Sequence, residues 1–378
     1  MCQDLVAVFT PFENLTDPRV ERTRAHELFD MVVVALCGTI AGSDSWADVE
    51  RFGKERLDWL RTFLRLENGI ASHDTFGRVF ARLDPAELTN CVQQWLADVS
   101  RDLGRHVAID GKTLRGSFDK AAGRNPLHLM SAWASEARLT LGQVAVDSKS
   151  NEITAIPLLL ELLDLDGATV TIDAMGCQKE IAAKIAERGG DYVLALKGNH
   201  EKLHEAVQGE FLQAAEGDFQ TPGVRRHVTV ETSHGRDERR EYTIMPAPKT
   251  LPGFEDWVGL LSIGMVLRLI NTHDGVERAE ISYFLTSLPP KVKAFARAVR
   301  RHWSIENQLH WVLDVTFTED ASRIRKQRGP QTAAMLRRLA VSIISSDTSV
   351  KDSIRGKRYS ASLSTEVLER ILLSFVAK

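Results

Sequence analysis

Residues 105–200 alternate between short apolar runs and helical stretches, in an order that limits the fold more than any other feature of the chain. Three runs come first, HVAID, LHLMSAW and LTLGQVAVD, with turn signals between them, and each is typical of a strand. They are followed by the helical stretch NEITAIPLLLELL, the strand-like ATVTID, the helical QKEIAAKIAERG and the strand-like YVLALKG. The resulting order, βββαβαβ, predicts an α/β domain built around one sheet.

This order of elements is that of the ribonuclease H-like fold, and the rest of the chain is predicted to be arranged around it. We predict an all-α N-terminal domain over residues 1–100 and a ribonuclease H-like catalytic domain over residues 101–200 and 289–345. A β-rich insertion is predicted over residues 201–288, and a C-terminal tail with a short helix over residues 346–378. Helical periodicity and cap residues place individual helices at residues 26–39, 46–52, 55–64, 74–83, 85–99, 291–315 and 332–345.

Composition is that of an ordinary soluble protein, with 43% hydrophobic and 26% charged residues among 378. The formal net charge of −3 gives no overall signal for nucleic acid, so binding of that kind must depend on local charge. Four scattered cysteines without a CxxC pair argue against structural zinc and disulfides. The N-terminus lacks a basic signal-peptide region, and the longest apolar run, residues 31–42, is too short to span a bilayer. We therefore expect a cytoplasmic protein without membrane contact.

Three acidic residues stand out by their positions. Asp110 and Asp173 directly follow the β-branched runs Val-Ala-Ile and Val-Thr-Ile, and Glu306 lies inside the helical stretch RRHWSIENQLHWVLDV. A carboxylate at the end of a buried strand is held rigidly and faces the rim of the sheet. Two such aspartates and a helical glutamate suit a site that holds divalent metal and cuts phosphodiester bonds.

The helix around Glu306 permits more than one interpretation. On a regular α-helix, the residues that share a face with Glu306 are Val299, His302, Trp303, His310 and Leu313. That face must lie against the sheet edge if Glu306 is to meet the two aspartates. The spacing of His302, Glu306 and His310 also permits a helical metal site, which the aspartates make less attractive. We expect Trp303 and Trp311 to be core residues rather than platforms for bases.

Basic residues near these acids are candidates for DNA contact. The segment SRIRKQRGPQ supplies Arg323, Arg325, Lys326 and Arg328, for which a solvated helix end is the alternative. The helix before Glu306 adds Arg300, Arg301 and His302, and the turn after Asp110 adds Lys112 and Arg115. In the predicted insertion, HVTVETS and REYTIMP form a hairpin that offers Arg236, Arg239 and Arg240 as a clamp on DNA. The alternative is a structural hairpin whose arginines pair with Glu231, Glu238 and Glu241.

Several long sequence words resemble one known group of proteins. IDGKTLRGS, ATVTIDAMGCQKEIA, DYVLALKGNH and RHWSIENQLHWVLDVTFTEDASRIR are similar to the motifs of the H-repeat-associated transposases, which are linked to Rhs elements and belong to the DDE insertion-sequence transposases. The resemblance covers nearly the whole chain. It implies that Asp110, Asp173 and Glu306 bind catalytic Mg²⁺, for which Mn²⁺ substitutes. It also implies nicking at element ends followed by strand transfer through the freed 3′ hydroxyl.

The same resemblance implies partners and a location. These are double-stranded DNA, as terminal repeats and as target, a homodimer on paired ends, and the nucleoid in a bacterial cytoplasm. End recognition would fall to the N-terminal helices. In residues 1–95, however, acidic side chains outnumber basic ones, so we expect most salt-dependent affinity to come from the segment 323–328.

One departure from the pattern keeps two alternatives open. Related DDE transposases carry a tyrosine seven residues before the glutamate, an arginine four before it and a lysine seven after it. Here those positions hold Val299, His302 and Leu313. A decayed or domesticated relative that binds DNA without cleavage, and a ribonuclease H-like nuclease that cuts without joining, are therefore the alternatives to an active transposase.

Overall fold

The computed structural model describes residues 2–99, 105–120, 122–146, 151–233, 236–272 and 277–376. The chain divides into two compact units, each of which is assembled from segments that are distant in sequence. The first comprises Met1–Gly104, Gly111–Asn151 and Ile305–Lys378, and the second comprises Arg105–Asp110 and Glu152–Ser304. The four-part division predicted above remains a prediction.

The N-terminal segment of the first unit is helical, as the sequence predicts. Its helices are α1 (Cys2–Phe9), α2 (Leu28–Ile40), α3 (Trp46–Glu55), α4 (Leu57–Leu60), α5 (His73–Phe80) and α6 (Pro85–Val99). Local caps fix two of the starts: Ser45 and Asp48 form a capping box at α3, and Ser72 accepts a hydrogen bond from the backbone of Thr75 at α5. The helix predicted over residues 55–64 is shorter than expected.

The order βββαβαβ is confirmed. Its elements are β1 (His106–Leu114), β2 (Leu127–Ala134), β3 (Leu139–Ala145), α7 (Glu152–Glu161), β4 (Thr169–Ile172), α8 (Lys179–Glu187) and β5 (Asp191–Leu196). In the first unit, β2 and β3 pair as an antiparallel hairpin. In the second unit, β1, β4 and β5 run parallel to one another, as strands joined by crossover helices do.

The β-rich segment predicted over residues 201–288 begins with a helix that the sequence analysis did not predict, α9 (Glu201–Glu216). Four strands follow it: β6 (Arg225–Ser233), β7 (Arg236–Pro246), β8 (Ser262–Thr272) and β9 (Glu277–Thr286). They are antiparallel, and β9 pairs with β5, so the strand order in the second unit is β1-β4-β5-β9-β8-β7-β6. The result is a large mixed sheet.

The chain then returns to helices. They are α10 (Val292–Ser304), a π-helix (Ile305–His310), α11 (Trp311–Val315), α12 (Gly329–Ser346), α13 (Ile354–Leu363) and α14 (Thr365–Val376). In the second unit, Phe295, Ala298 and Val299 of α10 pack with Val193 and Tyr242 in one buried cluster. This packing fixes α10 on one face of the sheet. None of the described helices combines the length and the apolarity needed to cross a membrane.

Candidate active site

Asp110 and Asp173 lie side by side in the second unit. The parallel pairing of β1 and β4 runs from His106 opposite Thr169 to Ile109 opposite Ile172, and the two aspartates are the next residues on each strand. Because side chains alternate along a strand, both carboxylates belong to the same face of the sheet. One expectation needs correction: Asp110 does not end its strand, since β1 continues to Leu114.

The turn after β4 holds Asp173 in place. The backbone of Asp173 is extended, and the carboxylate of this residue accepts hydrogen bonds from the backbone N–H groups of Met175, at 3.2 Å, and Gly176, at 3.4 Å. A Cβ at Gly176 would lie 2.2 Å from a methyl group of Ile172, so only glycine fits this turn. The carboxylate is therefore fixed by the backbone rather than by other side chains.

Negative charge is concentrated around Asp173. Burial, the carboxylate of Glu152 and that of Asp110 all raise the pKa of Asp173. Glu152 is the first residue of α7, and the sequence analysis did not identify it as a site residue. A bound cation would relieve this repulsion, and carboxylate oxygens are the ligands that Mg²⁺ prefers. The residues present therefore fit a divalent metal.

Two histidines connect α10 to the strands below it. The hydroxyl of Thr171 lies 3.0 Å from Nδ1 of His302 and 3.3 Å from Nε2 of His106, and His106 also hydrogen-bonds to the backbone of Ala298. Burial, with the nearby charges of His302 and Arg301, lowers the pKa of His106 to about 3. His302, predicted to contact DNA, is half-buried and bonded to Thr171.

Glu306 is exposed and lies on the π-helix, where the sequence predicts an uninterrupted α-helix. A carboxylate oxygen of Glu306 lies within 4.8 Å of a ring nitrogen of His310. His310 is buried, and burial together with the charge of Arg338 lowers its pKa to about 4, so the imidazole is neutral at physiological pH. π-Helical turns are rare and are found frequently at functional sites.

The π-helix changes which residues share a face with Glu306. Val299, His310 and Leu313 are buried, but Trp303 is 49% exposed and Trp311 is 58% exposed. The prediction that both tryptophans are core residues is wrong. A π-helical turn contains more than 3.6 residues, so a face derived from regular helical spacing does not continue across it.

The basic residues that follow Asp110 are engaged within the first unit. Lys112 is buried, and its ammonium lies 2.7 Å from Asp314 and 3.5 Å from Asp320. Arg115 is largely exposed, with its Nε 3.4 Å from Asp320. Lys112 thus forms structural ion pairs, whereas Arg115 is accessible from solvent.

The arginines of the insertion form ion pairs within the second unit. Arg240 is buried and contacts Glu231 at 3.2 Å and Glu238 at 2.8 Å. Arg239 contacts Glu241 at 2.9 Å, and Arg300 of α10 contacts Glu231 at 2.9 Å. These are the contacts of the structural alternative for the hairpin. The side chain of Arg236 and the turn at residues 234–235 lie outside the described residues.

The segment 323–328 is partly anchored and partly exposed. Arg325 donates to the carbonyl of Gly116 at 2.9 Å and lies 4.3 Å from the centroid of the Phe118 ring. Arg328 lies 3.6 Å from Asp84, while Arg323 and Lys326 are exposed. The segment therefore presents cations to solvent while one of its arginines fixes its position.

Comparison with known proteins adds a family relationship to this geometry. Residues 101–343 match the family described as Transposase DDE domain, and residues 9–96 match the one described as DDE_Tnp_1-associated. The chain is 38% identical to "Putative transposase YncI" of Escherichia coli O157:H7, over 95% of this chain and 93% of that protein. It is also 38% identical to "H repeat-associated putative transposase YhhI" of Escherichia coli (strain K12), over 92% of each chain.

One solved structure is more distantly similar. It is described as the cryo-EM structure of piggyBac transposase synaptic complex with hairpin DNA. The match has a TM-score of 0.42 and 10% identity, and it covers 99% of this chain and 77% of that one. Similarity at this level supports no conclusion about the present chain.

Proposed function

The chain belongs to the DDE transposases of insertion sequences, in the H repeat-associated group, and from this premise we propose which residues carry out its chemistry. Asp110, Asp173 and Glu306 together hold the catalytic divalent metal, with Mg²⁺ as the natural ion and Mn²⁺ as a substitute. The observation that supports this most directly is the register of β1 and β4, which sets two of these acids, Asp110 and Asp173, side by side.

The helix α10 runs along the strands that lead to the two aspartates. Ala298 contacts His106, and His302, four residues later, contacts Thr171. Thr171 is paired with Ala108, which is two residues beyond His106 on β1. Four residues advance an α-helix by about 6 Å, and two residues advance a strand by about 6.6 Å. The helix α10 and the strands beneath it therefore advance by similar distances between these contacts.

The three acids have distinct supports during the reaction. When bound, the metal would activate water and stabilise the leaving 3′ oxygen. Asp173 stays oriented because backbone N–H groups hold it, and Asp110 is held by the strand that continues past it. Water cleaves the phosphodiester at the element end and leaves a 3′ hydroxyl, which then attacks a phosphodiester of the target. No covalent link between protein and DNA is required.

The catalytic core is, on this proposal, a ribonuclease H-like fold. The element order βββαβαβ and the parallel neighbours β1, β4 and β5 support it. The partners are double-stranded element ends and target DNA, held by a homodimer that pairs two ends. The protein acts at the nucleoid of a bacterial cytoplasm.

The proposal is tested by removing one charge at a time. We expect Asp110→Asn, Asp173→Asn and Glu306→Gln each to reduce metal-dependent cleavage by orders of magnitude while DNA binding persists, because each keeps its shape and loses a ligand charge. The substrate is labelled duplex DNA copied from the flanks of the gene, where inverted repeats mark element ends. Glu205→Gln, an exposed acid on α9, is the matched control. Near wild-type cleavage by any of the three variants would remove that residue from the site.

The same reactions separate the alternatives to an active transposase. A transposase yields products in which the labelled end is joined to a second duplex. Cleavage without joined product identifies a nuclease, and binding without any cleavage by the unaltered chain identifies a decayed relative.

A further inference from the structure

The described residues leave the candidate site short of positive charge. Stabilisation of a phosphodiester in its transition state calls for cationic groups at its oxygens. The positions at which related enzymes carry a tyrosine and a lysine hold Val299 and Leu313, and both are buried apolar side chains. His302 is bonded to Thr171, and Lys112 is paired with Asp314. None of these four side chains offers a free cation to the phosphate, so other positions in the fold are the candidates.

The strand next to β4 ends in a lysine. The pairing of β4 and β5 places Ile172 opposite Leu194, so Asp173 lies in the row of Ala195. Lys197 comes two residues later, directly after β5, and its backbone is still extended, with φ −136° and ψ −171°. Alternation along an extended chain gives residues two apart the same face of the sheet. Lys197 therefore belongs to the face of Asp173.

The spacing of the strands brings the amine of Lys197 within reach of the carboxylate of Asp173. Two residues along a strand and one strand across correspond to roughly 8 Å between the Cα atoms of Asp173 and Lys197. A phosphate held near the aspartates would fill the space between these side chains. A lysine on its flexible stem is suited to such a position as a point charge.

Two hydrogen bonds fasten the lysine segment to the aspartate segment. The amide of Asn199 donates to the carbonyl of Ala174 at 2.9 Å, and Nε2 of His200 lies 2.6 Å from the carbonyl of Cys177. Ala174 directly follows Asp173. The backbone on either side of the proposed phosphate position is thus held together by the protein itself.

Lys197 is also available. It is exposed, and within the described part of the chain no ion pair engages its ammonium. An exposed cation that is fixed at its backbone and left unpaired beside an acidic cluster contributes little to folding, because surface charges of this kind have small effects on stability.

We propose that Lys197 binds the phosphate under attack and supplies the positive charge that Val299, His302 and Leu313 do not. This inference rests on the proposed function, because it assigns a phosphate-binding residue to the same site. The sequence word DYVLALKGNH contains this lysine, but neither its spacing from Glu306 nor its charge identifies it as a site residue. The strand register does.

The test compares Lys197→Ala, Lys197→Arg and the matched control Lys202→Ala, which removes an equally exposed lysine from α9. Metal-dependent cleavage and metal-free binding are measured on the labelled flanking duplex. We expect Lys197→Ala to lower cleavage about 100-fold or more while binding changes little, as loss of one transition-state donor does. Lys197→Arg should recover much of the rate, and Lys202→Ala should cleave like the unaltered chain.

If Lys197→Ala cleaves at the rate of the unaltered chain, the inference is overturned. It is also overturned if Lys197→Ala and Lys202→Ala lose the same cleavage activity, because such a result indicates a general attraction of DNA. Thermal unfolding of each variant identifies any loss of folding. The inference is also overturned if Lys197→Ala is unfolded and Lys197→Arg recovers no cleavage. Asp173→Asn in the same experiment isolates the proposed function. If Asp173→Asn cleaves normally, the catalytic site itself is misassigned; if it is inactive and Lys197→Ala is active, only the role of Lys197 fails.

Discussion

The surroundings of Asp173 disfavour the ionised form of its carboxylate. Burial and the neighbouring carboxylates of Glu152 and Asp110 raise its pKa, which means that the folded state disfavours the ionised form. For an acid with a raised folded pKa, the cost is absent below the unfolded pKa and fully present above the folded one. At neutral pH without metal, this carboxylate therefore destabilises the fold.

A thermal shift experiment follows from this charge. In EDTA, Asp173→Asn should unfold at a higher temperature than the unaltered chain, because the disfavoured charge is removed. The asparagine oxygen still accepts from Met175 and Gly176, so the turn is kept. Mg²⁺ should raise the unfolding temperature of the unaltered chain and have a smaller effect on the variant. A lower unfolding temperature for Asp173→Asn in EDTA would contradict this account.

Among the elements, the contact between α10 and the strands depends on a neutral histidine. Burial and the charges of His302 and Arg301 lower the pKa of His106 to about 3, while the unfolded chain takes up a proton near the ordinary value of 6.5. The stability that comes from a neutral His106 is therefore fully present above pH 6.5 and is lost as the pH falls from 6.5 toward 3.

The pH dependence of unfolding tests this packing. Between pH 7 and pH 5 the unaltered chain should lose about 2 kcal/mol through His106, since 1.5 pH units below 6.5 correspond to that amount. His106→Gln should be less stable at pH 7 and should lose less on acidification. Urea unfolding at the two pH values provides the comparison, and an identical pH dependence in both proteins would rule the explanation out.

Elements with local signals could be predicted from the sequence, and the π-helix, which has none, could not. Ser72 is followed by a helical pattern, and α5 begins after it. The π-helix around Glu306 has no local signal in the sequence. Its wider turn shifts the positions of the apolar residues, but their spacing still agrees with a helical pattern. The exposure of Trp303 and Trp311 could not be predicted for the same reason.

The candidate site divides in the same way. The runs before Asp110 and Asp173 predict strands, and the register confirms that those strands are neighbours. Glu152 has no such run before it, and Lys197 follows a predicted strand but is not an acid, so only the packing of α7 and the pairing of β5 bring them into consideration. Arg240 was a reasonable candidate for DNA contact by sequence, but its burial with Glu238 depends on three strands meeting.

At the scale of the whole molecule, a net charge of −3 must be reconciled with a DNA partner. We expect local exposed cations to carry the affinity, and Arg323 and Lys326 are two exposed cations of the segment 323–328. The double variant Arg323→Ala/Lys326→Ala should make the salt slope of DNA binding shallower by about 2, or about 1 for each lost phosphate contact. Arg325→Ala should instead lower stability, because Arg325 donates to Gly116. An unchanged slope in the double variant would assign DNA binding to another surface.

The antiparallel strands of the second unit all lie on one side of its three parallel strands. The strands β6 to β9 are added as antiparallel neighbours beyond β5, and β9 returns the chain to α10. Strands appended at that edge can lengthen, shorten or change their outer side chains while β1, β4 and β5 keep their register. Side chains of these strands that face away from α10 are thus free to vary from one mobile element to the next without disturbing Asp110 and Asp173, whereas Tyr242, which packs against α10, is constrained.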